Sequence, residues 1–335
     1  MKRFIAIAII ALTFAGGIYS QTLEGFQTAF TAFTGDMAGS LAVNSTIGSN
    51  WSDAYIGKFP HFGVGVTVGA ACINADGVTP LINAMGASAL PPALKSLGIP
   101  MPAAVATLKI GIPFLPLDIG IKGGYIPPSL GDGLRSSTGA SVNYTNVGIQ
   151  LRYAIIRQNL LLPNLSVGAS YNYMKGDITA PTAIGAKTFT VATDMGSTNI
   201  NASDPALALG WTSNTFDFTT QVSKQFLFLV PYLGAGYTLG TSSVTGGVSS
   251  TMSAPGYSSI TYGSGISGLN SFFAANGGPN ISDQGFSYTA TANTPVLRVY
   301  GGLSFRIILV DFDTQVMYAP FTKGLGFSAT ARVQL

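Results

Sequence analysis

Ten charged residues fall on the polar side of two-residue alternations: Lys109, Asp118, Lys122, Arg152, Asp217, Arg298, Arg306, Asp311, Asp313 and Arg332. In LKI, Lys109 sits between Leu108 and Ile110, and in DFD, Asp311 and Asp313 flank Phe312. Residues spaced by two share one face of a strand, so each charge projects from a strand's polar face. Charges of both signs on such faces have two chemical uses. They can line a path and tune which solutes cross it, or they can pair off and brace a narrow interior. Arg306, Asp311, Asp313 and Arg332 gather toward the ends of neighbouring strands and form the densest group. Lys109 and Asp118 are expected to oppose each other across a hairpin, where pairing would fix register.

Catalytic chemistry has little to work with. A nucleophile needs a base within reach, and the sole histidine, His61, has no evident Ser or Asp constellation, so the chain is expected not to be an enzyme. A lone histidine without a cysteine cluster gives no metal site of the usual spacing, and no cofactor is expected. Cys72, the only cysteine, cannot form an internal disulfide and reads as a small apolar residue on the apolar phase of its run. The GVGVTVG stretch at 63–69 puts its glycines on one strand face rather than in a strand-to-helix turn, which excludes a dinucleotide loop. Only 9% of residues are charged and the formal net charge is +3, two of those charges being Lys2 and Arg3, so no basic patch awaits a nucleic acid.

The elements that must position the ten charges are strands. From Val296 to Leu335 the chain reads as three amphipathic strands in series, and similar alternations begin at His61 and recur near 104–112, 117–122, 142–156, 166–173, 206–223 and 233–240. Taken alone, the alternation also suits a soluble sandwich. Composition decides: the charged fraction is far below the roughly 25% of soluble domains, yet no stretch after the N-terminus has the roughly 20 apolar residues of a membrane helix. Only a closed barrel can then satisfy every backbone group in lipid.

The expected fold is therefore all-β, a transmembrane antiparallel β-barrel of about ten strands, or twelve if 41–47 or 189–200 contribute. Cys72 falls in its lipid-facing phase. Short links at 113–116, 157–164, 224–231 and 308–309 alternate with longer loops, the asymmetry of short periplasmic turns and long outside loops. Between 206 and 223 the apolar phase moves from odd positions (Leu207, Leu209, Trp211) to even ones (Phe216, Phe218, Val222), which predicts a bulge near Thr212–Asn214. Aromatics near strand ends, among them Trp211 and Tyr232, are expected in the interfacial girdles. A hairpin is predicted within 189–200.

Residues 1–20 carry Lys2 and Arg3 before an apolar core and small residues, the pattern of a signal peptide. Residues 21–60 are expected to hold a short helix and a plug-like segment, and 61–335 the barrel. The helix, over 22–34, spaces Phe26, Phe30 and Phe33 at three and four residues. The connection 74–102 is apolar for a loop, carrying Leu81, Met85 and Leu94, which predicts a function rather than disorder.

The C-terminal strand resembles that of bacterial outer-membrane proteins, which implies the outer membrane of a diderm bacterium and insertion by the barrel-assembly machinery. The phenylalanine-bearing helix, the apolar loop and the bend in the wall together resemble the long-chain fatty-acid transporter family. That resemblance implies a plugged barrel, ligand capture by outside loops and a small hydrophobic ligand touching Phe26, Phe30, Phe33, Leu81, Met85 and Leu94. The function it implies is passive uptake of small molecules, hydrophobic ones included; a polar-solute porin and a non-conducting structural or adhesive surface protein remain open beside it.

Overall fold

A computed structural model of the chain describes residues 23–54, 62–74, 76, 79, 98–126, 141–181, 187–193, 196–202, 206–249, 252–253, 280–282, 285–293 and 295–334. The proposed signal peptide and loop residues Leu81, Met85 and Leu94 lie outside these. Among the described residues one helix, α1 (Leu23–Ser45), precedes β1 (Phe62–Ile73), β2 (Ile99–Gly111), β3 (Leu117–Ile126), β4 (Ser141–Ile156) and β5 (Asn164–Pro181). Then come β6 (Lys187–Thr193), β7 (Gly196–Ala202), β8 (Ala206–Ser223), β9 (Leu229–Ser249) and β10 (Met252–Ser253). The chain ends with β11 (Asn280–Ser282), β12 (Gly285–Asn293), β13 (Val296–Ile307), β14 (Val310–Ala319) and β15 (Gly324–Gln334).

Ten of these strands form a closed antiparallel ring. Pairing runs β9, β13, β14, β15, β1, β2, β3, β4, β5, β8 and back to β9. The seam joins the first strand to the last, with Gly63 opposite Gln334 and Cys72 opposite Leu325. Strand β12 pairs with the far half of β9 and continues the line of β13, while β6, β7 and β10 make a separate small sheet. The hairpin predicted within 189–200 is therefore present but outside the ring, and 41–47 is helix and turn, so the wall has ten strands rather than twelve.

The outer face of this ring is apolar. Val64, Val66, Val68, Ile121, Ile149, Leu151, Phe216, Leu233, Phe312 and Val316 are exposed, whereas the intervening Thr67, Lys122, Gln150, Arg152, Asp217 and Asp313 are buried. Water could not tolerate such a continuous apolar surface, but hydrocarbon can. With short links at one end and longer connections at the other, this is the arrangement of an outer-membrane β-barrel, whose short-link end faces the periplasm. The protein is accordingly an outer-membrane barrel of a diderm bacterium.

The inner face has two tiers. Near the long connections it is apolar: Ala71, Met101, Ala103, Ile126, Tyr144, Met174, Trp211, Val244, Val296 and Met317 are all buried there. Near the short links it is polar and charged. This division explains the phase change in β8, which keeps an unbroken register against β5 and β9 from Ala206 to Ser223. The predicted bulge near Thr212–Asn214 is absent. Odd positions face the lumen throughout β8, and they change from apolar (Leu209, Trp211) to polar (Ser213, Thr215, Asp217) because the lumen itself changes. The same geometry moves Trp211 and Tyr232 from the expected girdles into the interior, where they are 4% and 5% exposed. A register irregularity occurs instead between Ala154 and Ile156. Cys72 is buried, not lipid-exposed.

Helix α1 fills the apolar tier. It touches strands around the ring, from β1 and β2 through β5 and β8 to β9, β13 and β15. Phe30, Phe33, Met37 and Leu41, spaced by three and four, are each at most 1% exposed. The helix runs eleven residues beyond its expected end at 34, through a Gly- and Ser-containing stretch of weak local preference. Burial outweighs propensity here, since a helix satisfies its own backbone in a narrow lumen, and Ala38, Gly39, Ser40 and Ala42 keep it slender. It stops at Ser45 through tight turns, with Thr46 N–H donating to Val43 O (3.1 Å) and Ile47 N–H to Asn44 O (3.1 Å). Gly48 then adopts φ +79°, where a Cβ would also lie 2.3 Å from Val105.

The lipid-facing assignment predicts a depth-dependent cost. Val66→Arg, at mid-strand, should lose roughly 2–4 kcal/mol and Val333→Arg, near the rim, about 0–1 kcal/mol, measured by urea unfolding from lipid vesicles.

Candidate functional site

The charged tier is occupied by the chain's own residues 44–54, all buried. Alternation on β2, β3 and β4 points Lys109, Lys122 and Arg152 inward, and each meets this segment. Lys122 Nζ donates to the carbonyls of Ser45 and Ile47 (3.1 Å for the latter) and to Ser49 Oγ (2.9 Å). Lys109 Nζ donates to the Ser49 carbonyl and to Gln150 Oε1 (2.9 Å). Arg152 donates to the Asp53 carbonyl (2.8 Å) while its other nitrogens grip both oxygens of Asp118 (2.9 and 2.7 Å). From β8, Gln221 donates to the Trp51 carbonyl (2.7 Å), and Ser223 Oγ accepts the Ala54 N–H (3.0 Å). Turning backbone that no strand pairs is thus satisfied by wall side chains.

Two side chains of the segment complete the contact. The Trp51 ring lies between cations, 4.8 Å from Lys109 Nζ and 4.9 Å from the Arg332 guanidinium, distances at which a ring face attracts positive charge. Wall glycines make room for it: a Cβ on Gly63 would stand 2.7 Å from the ring and one on Gly65 3.4 Å. Gly63 and Gly65 of the GVGVTVG run therefore serve as a seat for an indole. The Asp53 carboxylate is shared by Arg306 and Arg332 (2.9 Å), which also hold Asp311 (2.7 Å from Arg306) and Asp313 (3.3 Å from Arg332). All four members of the densest predicted group meet at this one carboxylate's surroundings.

Of the remaining charges, Arg298 pairs bidentately with Asp217, both fully buried, and Thr238 hydrogen-bonds each of them (2.9 Å from Arg298, 2.7 Å to Asp217). Lys109 and Asp118 do not oppose each other as expected. Lys109 stands across from Gly120, and Asp118 across from Gly111 on one side and Arg152 on the other. The five-residue link 112–116 sets this register, and Gly120 lets the lysine stem lie across it, a Cβ there being 3.2 Å from Lys109 Cγ.

The residues expected to take a hydrophobic ligand are distributed differently. Phe30 and Phe33 stand together in the apolar tier, ring centroids 5.9 Å apart, both 1% exposed. Phe30 presses on the wall where Gly246 leaves space, since a Cβ there would be 2.0 Å from its ring. Phe26 lies in α1 with its backbone alone described, and Leu81, Met85 and Leu94 fall outside the described residues. Trp51 and Asp53 were not singled out from sequence. Their signal was present: residues 23–54 contain Glu24, Asp36 and Asp53 but no Lys or Arg, in a chain whose wall faces are rich in both.

No known family's sequence profile matches the chain, and no curated protein matches it. Solved structures similar to it include the Escherichia coli outer-membrane protease OmpT, at 9% identity and TM-score 0.40 over 82% of this chain and 96% of that one. Another is the transport unit of the E. coli autotransporter AIDA-I, at 11% identity and TM-score 0.33 over 88% and 97%. A third is the translocator domain of the autotransporter NalP from Neisseria meningitidis, at 9% and 0.31 over 91% and 96%. The protease among them corrects the expectation that this chain is not an enzyme. That expectation equated the want of a histidine-based constellation with the want of catalysis, which does not follow. At 9% identity the likeness assigns no reaction.

The buried Arg298–Asp217 pair gives a direct test of the bracing role. Asp217→Ala should cost about 3–5 kcal/mol by stranding a buried guanidinium, and Asp217→Leu combined with Arg298→Met should recover most of it, read from urea unfolding in vesicles.

Proposed function

We propose that the protein is an uptake channel held closed by its own N-terminal segment, and that small hydrophobic molecules enter it by taking the place of Phe30 and Phe33. One observation carries this reading: the inner wall beside the long connections is apolar on strand after strand. Water-filled pores have polar interiors, whereas binding sites for small hydrophobic molecules are lined by apolar and aromatic side chains with few polar groups. Here Tyr144, Met174, Trp211 and Val244 belong with the two phenylalanines to one buried apolar cluster. Methionine adapts to irregular partners, so a ligand of phenyl size would find surroundings already suited to an aromatic ring. Entry requires α1 to shift, because Phe30 and Phe33, both 1% exposed, fill that part of the lumen.

The two tryptophans separate the tiers, Trp211 lying in the apolar one and Trp51 in the charged one. In a Trp51→Phe protein, Trp211 alone reports the apolar tier. Titration with toluene or naphthalene should shift its emission, and adding Phe30→Ala, which costs about 3–5 kcal/mol and leaves a ring-sized cavity, should tighten binding at least severalfold. No spectral response in either protein would remove the hydrophobic-ligand reading.

A further inference from the structure

Beyond that reading, and independently of any hydrophobic ligand, we infer that residues 44–54 act as the counter-charge of a cationic pore, and that their release opens an anion-selective conductance. The wall and the segment are electrostatically matched. Among the described residues, the inward positions of the ten strands carry six cations, Lys109, Lys122, Arg152, Arg298, Arg306 and Arg332. Against them stand four carboxylates, Asp118, Asp217, Asp311 and Asp313. The wall alone therefore has an excess of two positive charges. Residues 44–54 supply one acidic residue, Asp53, and no basic one. They answer the wall with a shared carboxylate at Asp53, with an indole face at Trp51 and with carbonyl oxygens at Ser45, Ile47, Ser49 and Asp53. Each of these is an electron-rich group aimed at a lysine or arginine.

When that segment leaves, the same cations face water and mobile ions in a confined space. Fixed charge on a pore wall draws ions of opposite sign into it and sets selectivity. Lys109 and Lys122 lose their carbonyl partners, Arg332 loses Asp53 and Trp51, and Arg306 loses Asp53. Asp118 and Asp217 stay matched to Arg152 and Arg298 on the wall itself. Arg306 and Arg332 likewise keep Asp311 and Asp313, so the two unmatched groups are Lys109 on β2 and Lys122 on β3, and any anion crossing the lumen passes them. The segment also lies along the lumen. Phe30 touches the long-connection end at Gly246, and Ala54 meets Ser223 at the short-link end, so release clears both tiers together.

The test uses full-length protein in planar bilayers under a salt gradient of potassium chloride. Native protein should be quiet, with rare openings at high voltage. A Trp51→Ala/Asp53→Asn protein, which loses both anchoring side chains, should open far more often. Gly65→Leu, which fills the indole's seat from the wall side, should do the same with the segment's sequence intact. Open channels should favour chloride over potassium roughly twofold or more, and adding Lys109→Gln and Lys122→Gln should bring the ratio toward one. If either release variant inserts with native β-sheet circular dichroism and remains as quiet as the native chain, the inference is wrong. It is equally wrong if the openings of any of these proteins, the rare native ones included, favour potassium. Chloride-selective openings without a toluene response from Trp211 would uphold this inference and defeat the hydrophobic-ligand reading, and the opposite pair of results would do the reverse.

Discussion

Six cationic side chains directed into a narrow lumen are the constraint on which the rest of this structure depends. Strand alternation leaves them nowhere else to go, because the opposite face meets hydrocarbon, where a charge costs several kcal/mol. Once inside, each must find an electron-rich partner or stay hydrated. Four wall carboxylates answer some of them, and the backbone of 44–54 answers the others. Lys122 illustrates the solution: one ammonium gathers two carbonyls and a hydroxyl from a single turn. The segment is held less by its own folding preference than by the need of the wall to be satisfied.

The two tiers follow from the same logic. A helix has no spare backbone groups along its middle, so the part of the lumen it occupies can be apolar, and Phe30, Phe33, Met37 and Leu41 meet apolar wall there. An extended or turning segment has spare carbonyls and N–H groups, so the part it occupies must be polar. The change from helix to turns at Ser45 to Gly48 occurs at the level where the wall changes from Met101, Ala103 and Val105 to Thr107 and Lys109. Wall and segment thus change character together.

How far the sequence spoke for itself depends on which partner a residue answers to. The lipid-facing phase was legible because one uniform solvent imposes it: Val64 to Val68, Ile119 with Ile121, and Phe312 to Tyr318 all lie where alternation puts them. The ten inward charges were legible for the same reason. The pairing of those charges was not, because it depends on the length of links: Asp118 meets Arg152, and Lys109 meets a backbone carbonyl sixty residues away in sequence. Alternation also misled in β8, where a change in the lumen's chemistry looks identical to a one-residue bulge. Helix α1 was underestimated because its second half is favoured only by the surroundings that bury it. Trp51 and Asp53 escaped notice because neither belongs to a periodic pattern, and their meaning lies in glycines and arginines of strands at both ends of the chain.

That last point bears on how the barrel closes. Trp51 sits over Gly63 and Gly65 of the first strand and against Arg332 of the last, and these two strands form the seam. Asp53 joins Arg332 to Arg306 two strands further round. The segment therefore bridges the inside of the join that converts a sheet into a barrel. It also runs the length of the lumen, and seven residues separate Ala54 from β1. A chain so arranged cannot easily be threaded through a finished ring, whereas it can be enclosed as the seam zips. The contacts of Trp51 and Asp53 thus both occlude the lumen and bridge the seam, and an opening that breaks them leaves the seam's backbone ladder whole.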